Sequence, residues 1–247
     1  MKKFCTPNLP TNPVKDVIVS GEYSFIVREL ENLGIHCIMV KPCRALPYYE
    51  RYHADLHLSC YRKGAVCIGS NTDFSADISA LHIERGICLQ PHYPENIAFN
   101  HVIMGNTFLG NIVFTDSRII DYCMDNQFRM LNVRQGYTKC SCAVVNENAL
   151  ITADSGIYRK CLENRIDVLK IDSGYINLYG YDYGFIGGCC GKISKDILAF
   201  TGKLNAHKNG ADIKSFLRNY GISVVELSNK PLFDIGSILP LTEKTAT

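Results

Sequence analysis

The chain has 247 residues, 47% of them hydrophobic and 20% charged, with a formal net charge of +2 and a pI near 7.9. That length buries a sizeable core without division into independent domains, and a near-neutral chain whose basic runs do not exceed Lys2-Lys3 has no electrostatic footprint for nucleic acid. No apolar stretch approaches the roughly 18 residues of a membrane span, and Pro7, Asn8, Pro10 and Pro13 stand where a signal peptide needs an apolar segment, so a cytoplasmic protein with no membrane partner is expected.

In chain order, one series of elements recurs five times: a short apolar strand, a Ser/Thr/Asp/Gly break, a helix and a second strand. The first strands read Val17-Ile18-Val19-Ser20, Val66 to Ser70, Ile112 to Asp116, Leu150 to Asp154 and Leu198 to Gly202. The second strands are expected at Ile35 to Val40, Ile87 to Gln90, Phe128 to Val133, Ile166 to Ile171 and Ile222 to Leu227. A spacing of roughly 40 to 55 residues is in the range where internal repetition decides the fold.

The helices between these strands carry stop and start signals. Ser20 is read as the cap of a helix bearing Phe25, Ile26, Leu30 and Leu33 and ended by Gly34; a weaker helix is expected from Asp73 to Arg85, with Ile78, Leu81 and His82 on its apolar face. Thr115 or Asp116 caps Ile119, Ile120 and Cys123; Asp154 caps Ile157, Cys161 and Leu162; Ile213, Phe216 and Leu217 form a stripe stopped by Gly221.

Each second strand leads into a third segment: Asp55 to Leu58, Asn100 to Met104, Cys140 to Val145, Gly187 to Gly191 and Asp234 to Leu239. Tight turns at Lys63-Gly64, Gly105-Asn106, Asn146 to Asn148 and Lys195-Asp196 then return the chain to the next unit. The third segments begin with Gly, Cys, Asn and Asp, types suited to a crowded axis, and Gly184, Gly187, Gly188 and Gly191 mark close approach of another backbone or a ligand. A doubly wound sheet also alternates strands and helices but needs no third strand per unit. The reading is a five-fold pseudosymmetric α/β ring in one domain over 1–247, with pseudo-repeats at about 14–60, 61–105, 106–145, 146–193 and 194–241.

Twelve cysteines without a secretory signal read as reduced thiols. Cys37, Cys67 and Cys88 lie in strand runs and Cys123 and Cys161 on helices, where a small hydrophobe serves. No Cys-x-x-Cys occurs, so a zinc ribbon or thioredoxin motif is not expected. Cys140/Cys142 and Cys189/Cys190 stand apart as a metal or redox alternative, although alternation along a strand lets at most three of the four converge. The main reading has no metal and no cofactor.

A ring of five such units around a short channel resembles the pentein, or α/β-propeller, fold, shared by guanidino-group-modifying enzymes and by the ribosome anti-association factor of archaea and eukaryotes. Gly136-Tyr137-Thr138-Lys139-Cys140, Asp182 to Gly188 and Asp234 to Ile238 resemble segments of an uncharacterised bacterial family of that fold. The resemblance spans nearly the whole chain and implies no assigned reaction for that family. The enzymes of the fold use a cysteine nucleophile, a histidine in a His-x-Asp or His-x-Glu pair, and acidic residues that grip the guanidinium. His53-Ala54-Asp55 matches the pair, and two units further round the ring lies Cys140, the implied nucleophile. The enzymes carry their nucleophile near the C-terminus; a mid-chain Cys140 requires the ring to be opened at a different unit.

The resemblance thus implies a thiol-dependent hydrolase or amidinotransferase acting on a guanidine- or amidine-bearing small molecule. His53 would be the acid/base, with Asp55, Asp182 and Asp234 for the guanidinium. Lys139 would lower the Cys140 pKa or bind a substrate carboxylate, because a free thiol at a pKa of about 8.5 is only partly ionised at neutral pH. The residues leave plainer readings open: Cys140 as an inert strand residue, His53 as a surface histidine behind Tyr48, Tyr49 and Tyr52, and Asp55 and Asp234 bonding loop backbone. His57 and His101 are expected to be buried. A non-catalytic ring that binds a macromolecule is the alternative from another class. Convergence of Cys140, His53 and an acidic residue on one pocket separates the two.

Overall fold

The computed structural model describes residues 3–245 apart from 77, 79 and 80. After a two-residue strand β1 (Lys3–Phe4), the chain enters β2 (Val14–Ser20), α1 (Ser24–Asn32) and β3 (His36–Val40). A short α2 (Ala54–His57) runs directly into β4 (Leu58–Arg62), which precedes β5 (Ala65–Ile68) and β6 (His82–Arg85). Next come β7 (Val102–Met104), β8 (Thr107–Gly110), α3 (Ser117–Asp125) and β9 (Arg129–Asn132). The pattern repeats through α4 (Thr138–Ser141), β10 (Cys142–Asn146), β11 (Ala149–Thr152), α5 (Ser155–Glu163) and β12 (Asp167–Lys170). It ends with β13 (Cys190–Ser194), β14 (Ile197–Phe200), α6 (Gly210–Asn219), β15 (Ser223–Glu226) and β16 (Leu239–Glu243).

These strands form five small sheets of one design. An inner strand pairs antiparallel with a middle strand, which pairs parallel with an outer one: β4-β5-β6, β7-β8-β9, β10-β11-β12 and β13-β14-β15. A parallel pair needs a crossover, supplied by α3, α5 and α6 in three of these sheets and by a segment without a helix among the described residues between β5 and β6; in the fifth sheet α1 supplies it. There the last strand of the chain, β16, takes the inner place beside β2 and β3. Each helix lays its apolar face on its own sheet. Ile26, Val27 and Leu30 pack with Val17, Val19 and Cys37, and Ile213 and Leu217 pack with Leu198 and Phe200.

Around the axis the segments that open the inner strands bond to one another in a closed circuit. Asp55 N donates to Gly236 O (3.2 Å), and Gly188 N to Cys140 O (3.0 Å). Ile235 N and Ser237 N both donate to Gly188 O (3.0 and 2.9 Å). Asn100 closes the gap, giving Nδ2 to Asp55 O (3.2 Å) and taking Lys139 N (2.7 Å) and Cys140 N (3.2 Å) on Oδ1. Five segments remote in sequence thereby become neighbours, and the structure is the five-fold α/β-propeller expected from the repeats.

Three expected elements are not formed. No helix spans Asp73 to Arg85 among the described residues: Phe74 bridges Val40, and His82–Arg85 is the outer strand β6, with His82 exposed beside Glu84. Asp77, Ser79 and Ala80 of that segment lie outside the described residues. The strand expected at Ile87 to Gln90 is a loop, because Asn71 satisfies Leu89 on both sides, accepting from its N (3.0 Å) and donating to its O (3.1 Å). Ile112 to Asp116 is a loop as well. The middle strand is β8, five residues earlier, formed when the Gly105-Asn106 turn sends the chain back along β7, and Val113 and Phe114 stay exposed.

Capping follows the chemistry of each start. Asp116 accepts from Arg118 N (3.1 Å) and Asp154 from Ile157 N (2.7 Å). Ser20 does not cap α1, which starts after Tyr23; its hydroxyl accepts from Glu22 N instead. The cysteines are all unpaired and mostly buried, but Cys88 is exposed, contrary to its expected core place. No helix among the described residues is long and apolar enough to cross a membrane.

His57 and His101 are buried, as expected. His57 Nε2 donates to Arg51 O (2.7 Å), and His101 meets Ser59 Oγ (2.9 Å) and stacks on Phe108. Burial pushes their pKa values down to about 4 and about 3. An unfolded histidine gains a proton near pH 6.5 whereas these do not. Their contribution is therefore present above about pH 6.5 and is lost as pH falls toward the folded values, at up to about 1.4 kcal/mol per pH unit for each site. Thermal melts are expected to show Tm falling between pH 7 and pH 5; a flat Tm would contradict neutral burial of this pair.

Candidate active site

The loops and short helices that open the inner strands carry the chemical groups. His53 heads α2, Cys140 lies in α4, and Asp234 and Ser237 precede β16. Glycine makes the crowding at the axis possible. A Cβ on Gly188 would lie 2.0 Å from Asp234 Oδ1, and one on Gly236, whose φ is +75°, would lie 2.3 Å from His53 Cα. Substitution at either position would push apart residues of different sheets.

Cys140, His53 and Asp55 converge: one sulfur, one imidazole nitrogen and one carboxylate oxygen all lie within 4.8 Å of one another. Cys140 Sγ donates to Asp55 Oδ2 (3.1 Å) and receives Asn100 Nδ2 (3.2 Å). His53 Nδ1 faces Asp234 Oδ1 at 3.9 Å, and its Nε2 is buried with no protein partner. Asp234 is held by its surroundings, accepting from Phe185 N and Gly236 N (2.9 Å each). Its carboxylate lies beside one edge of the imidazole, and the other edge has no protein partner.

Burial, first, and then the charges of Asp55 and Asp234 raise the Cys140 pKa well above that of an ordinary thiol. The Cys140 hydrogen bond to Asp55 acts in the same direction, and only the Asn100 amide opposes it. Cys140 is therefore held as a protonated thiol. A cation placed beside it would counter the two carboxylates and favour the thiolate. Burial likewise raises the Asp234 pKa, partly offset by His53.

Cys140, His53, Asp182 and Asp234 line one cavity of ≈ 410 Å³. Asp182 is exposed at its wall. Asp55 and Lys139 do not line it. Asp55 stands behind Cys140, where Ser237 Oγ donates to its Oδ2 (2.6 Å) and its Oδ1 is unpartnered. Lys139 points to the far side of the axis and donates to Ser237 Oγ (3.0 Å). Cys189 and Cys190 contact the Ile186 and Gly187 carbonyls of their own loop. Among the described residues the only three-donor group with metal-binding spacing is His53, Asp55 and Cys140, which also makes the thiol–carboxylate bond, not a four-cysteine set.

Sequence reasoning overlooked two residues. Asn100 clamps the Cys140 turn through both of its amide atoms, and its signal was its place at the start of an inner segment, equivalent to that of Cys140. Glu50, a buried carboxylate on the cavity wall, sits inside the Tyr48-Tyr49-Glu50-Arg51-Tyr52 run, read only as an aromatic loop.

Across this closed ring the fold is that of the penteins, the fold of guanidino-group-modifying enzymes. Residues 18–239 match a family of unknown function (DUF6873), and the chain belongs to that family. Two solved structures share the fold over nearly their whole length. The inosamine-phosphate amidinotransferase StrB1 from Streptomyces griseus has a TM-score of 0.57 at 10% identity, with 99% of this chain and 98% of that one covered. SxtG, an amidinotransferase from Microseira wollei in the saxitoxin biosynthetic pathway, has a TM-score of 0.52 at 7% identity with the same coverage. No curated protein matches the chain in sequence.

Proposed function

We propose that this protein is a cysteine-dependent hydrolase or amidinotransferase acting on a guanidine- or amidine-bearing small molecule. The observation that carries the reading is the meeting of Cys140 and His53 on the wall of one cavity, with His53 braced by Asp234 and its Nε2 free. The similarity to two amidinotransferases supports it at the level of fold.

In this reading the bound cation displaces the hold of Asp55 on the thiol. The Cys140 proton passes to His53 Nε2, and the thiolate forms a C–S bond to the guanidino carbon. As the C–N bond breaks, His53 returns the proton to the leaving amine. Water or an acceptor amine then attacks the thiouronium carbon, gives its proton to His53, and releases Cys140 as the C–S bond breaks. Asp234 keeps the imidazole aligned throughout, and Asn100 holds the Cys140 turn. Asp182 at the wall meets the incoming cation, and Asp55, behind the sulfur, supplies negative charge on the side away from the cavity. Lys139 neutralises that far side through Ser237.

Chloroacetamidine, a planar cation beside an electrophilic carbon, is the direct probe. Peptide mass spectrometry is expected to find Cys140 alkylated well ahead of exposed Cys88, although Cys140 is the buried thiol. Faster labelling of Cys88 would remove the basis for a nucleophilic Cys140.

A further inference from the structure

The wall of the same cavity also carries a buried carboxylate that no Lys or Arg meets. Glu50 is 6% exposed and lines the cavity, yet its carboxylate meets only neutral donors, the Tyr181 hydroxyl on Oε1 and the Asn96 amide on Oε2 (3.5 Å). Asn96 is 1% exposed and also lines the cavity; its Nδ2 is used by Tyr137 OH (2.8 Å) while its Oδ1 has no partner. A buried carboxylate without a counter-charge and a buried carbonyl without a donor both cost free energy. Among the described residues no Lys or Arg lines the cavity; its basic groups are the imidazoles His53 and His92. Aromatic faces flank the pair, with Tyr137 stacked on Phe185 and tilted against Tyr93 at 5.9 Å.

We infer that Glu50 and Asn96 form the seat of a cationic group, and that the ligand of this cavity is a small organic cation bearing no carboxylate or phosphate. Glu50 and Asn96 Oδ1 accept from its N–H groups, and the rings of Tyr93, Tyr137 and Phe185 receive its charge through their π faces. An anionic group would enter a site with three carboxylates, Glu50, Asp182 and Asp234, on its walls and no guanidinium or ammonium to meet it. The inference rests on the proposed function only in taking this cavity as the ligand site; it concerns charge selection, not Cys140 chemistry.

The test is equilibrium binding to the full chain of three compounds with one guanidino-alkyl body: agmatine, which ends in an ammonium, butylguanidine, in a methyl, and 4-guanidinobutanoate, in a carboxylate. Agmatine and butylguanidine are expected to bind at least about tenfold more tightly than 4-guanidinobutanoate, and Glu50→Gln to weaken both by about tenfold, the size of a lost charge-assisted hydrogen bond. Equal or tighter binding of the carboxylate compound overturns the inference, as does failure of all three to bind, and these arms need no variant. Unchanged cation affinity in a folded Glu50→Gln protein overturns the role of Glu50. Cation binding without any reaction at Cys140 would defeat the proposed function and leave this inference standing.

Discussion

Replacing Cys140 with alanine is expected to lower turnover of a guanidino compound, followed as released amine, by at least about 10⁴-fold. Among the described residues Cys140 is the one thiol that lines the cavity. Cys142, two residues on, and Cys189 are fully buried thiols whose pKa values burial also raises, and neither lines the cavity. The change removes one small buried group, so the fold should survive at a cost of about 1–3 kcal/mol. Cys189→Ala, a similar buried deletion, is the control that separates chemistry from stability. The environment also sets a pH signature. The Asp55 charge raises the Cys140 pKa, so Asp55→Asn lowers it and exposes more thiolate at any given pH below it. Alkylation of Cys140 by neutral iodoacetamide should therefore speed up in Asp55→Asn at pH 8 while turnover falls. Turnover within tenfold of the parent in Cys140→Ala would end the nucleophile assignment.

The second large effect belongs to His53. His53→Gln keeps a polar group of similar size beside Asp234 but removes the atom that carries a proton at Nε2. Turnover is expected to drop about 10²- to 10⁴-fold, the range for loss of general acid–base catalysis, with KM changed little. The limb of the pH–rate profile that belongs to the imidazole should vanish with it. Asp234→Asn leaves the imidazole in place and removes only the charge beside it, so its loss should be smaller and should shift that limb instead of deleting it. A parent-like pH profile in His53→Gln would show that the imidazole is only a packed, buried residue.

What could be read along the chain varied with how local its cause was. The helices at Ser117–Asp125 and Ser155–Glu163 were legible because their caps, Asp116 and Asp154, act on backbone two or three residues away. The segment from Asp73 to Gln90 departs from its local pattern because its partners are remote: Val66 and its neighbours draw His82–Arg85 into a sheet, and Asn71 holds Leu89 apart from one. Cys140 and His53 are marked by the resemblance to the guanidino-group-modifying enzymes, through the His53-Ala54-Asp55 match and the two units that separate nucleophile from histidine in those enzymes. Asn100 and Glu50 are not, since an asparagine before a strand and a glutamate among tyrosines have many ordinary uses.

The repeat of strand, break, helix and strand, carried by apolar periodicity and by turn residues, determined five units and their closure, because each unit can bury its apolar face only against its neighbours. Which side of the axis each polar group faces was decided by the tertiary structure alone. Asp55 and Lys139, adjacent to the reactive pair in sequence, turn away from the cavity, whereas Glu50 and Asn96 turn into it. The cause is the close packing of five loops, where glycines at 188 and 236 admit the side chains of other units and fix their directions. The glycines around Gly188 mark a close approach in the sequence, but which segment comes close is decided only by the fold.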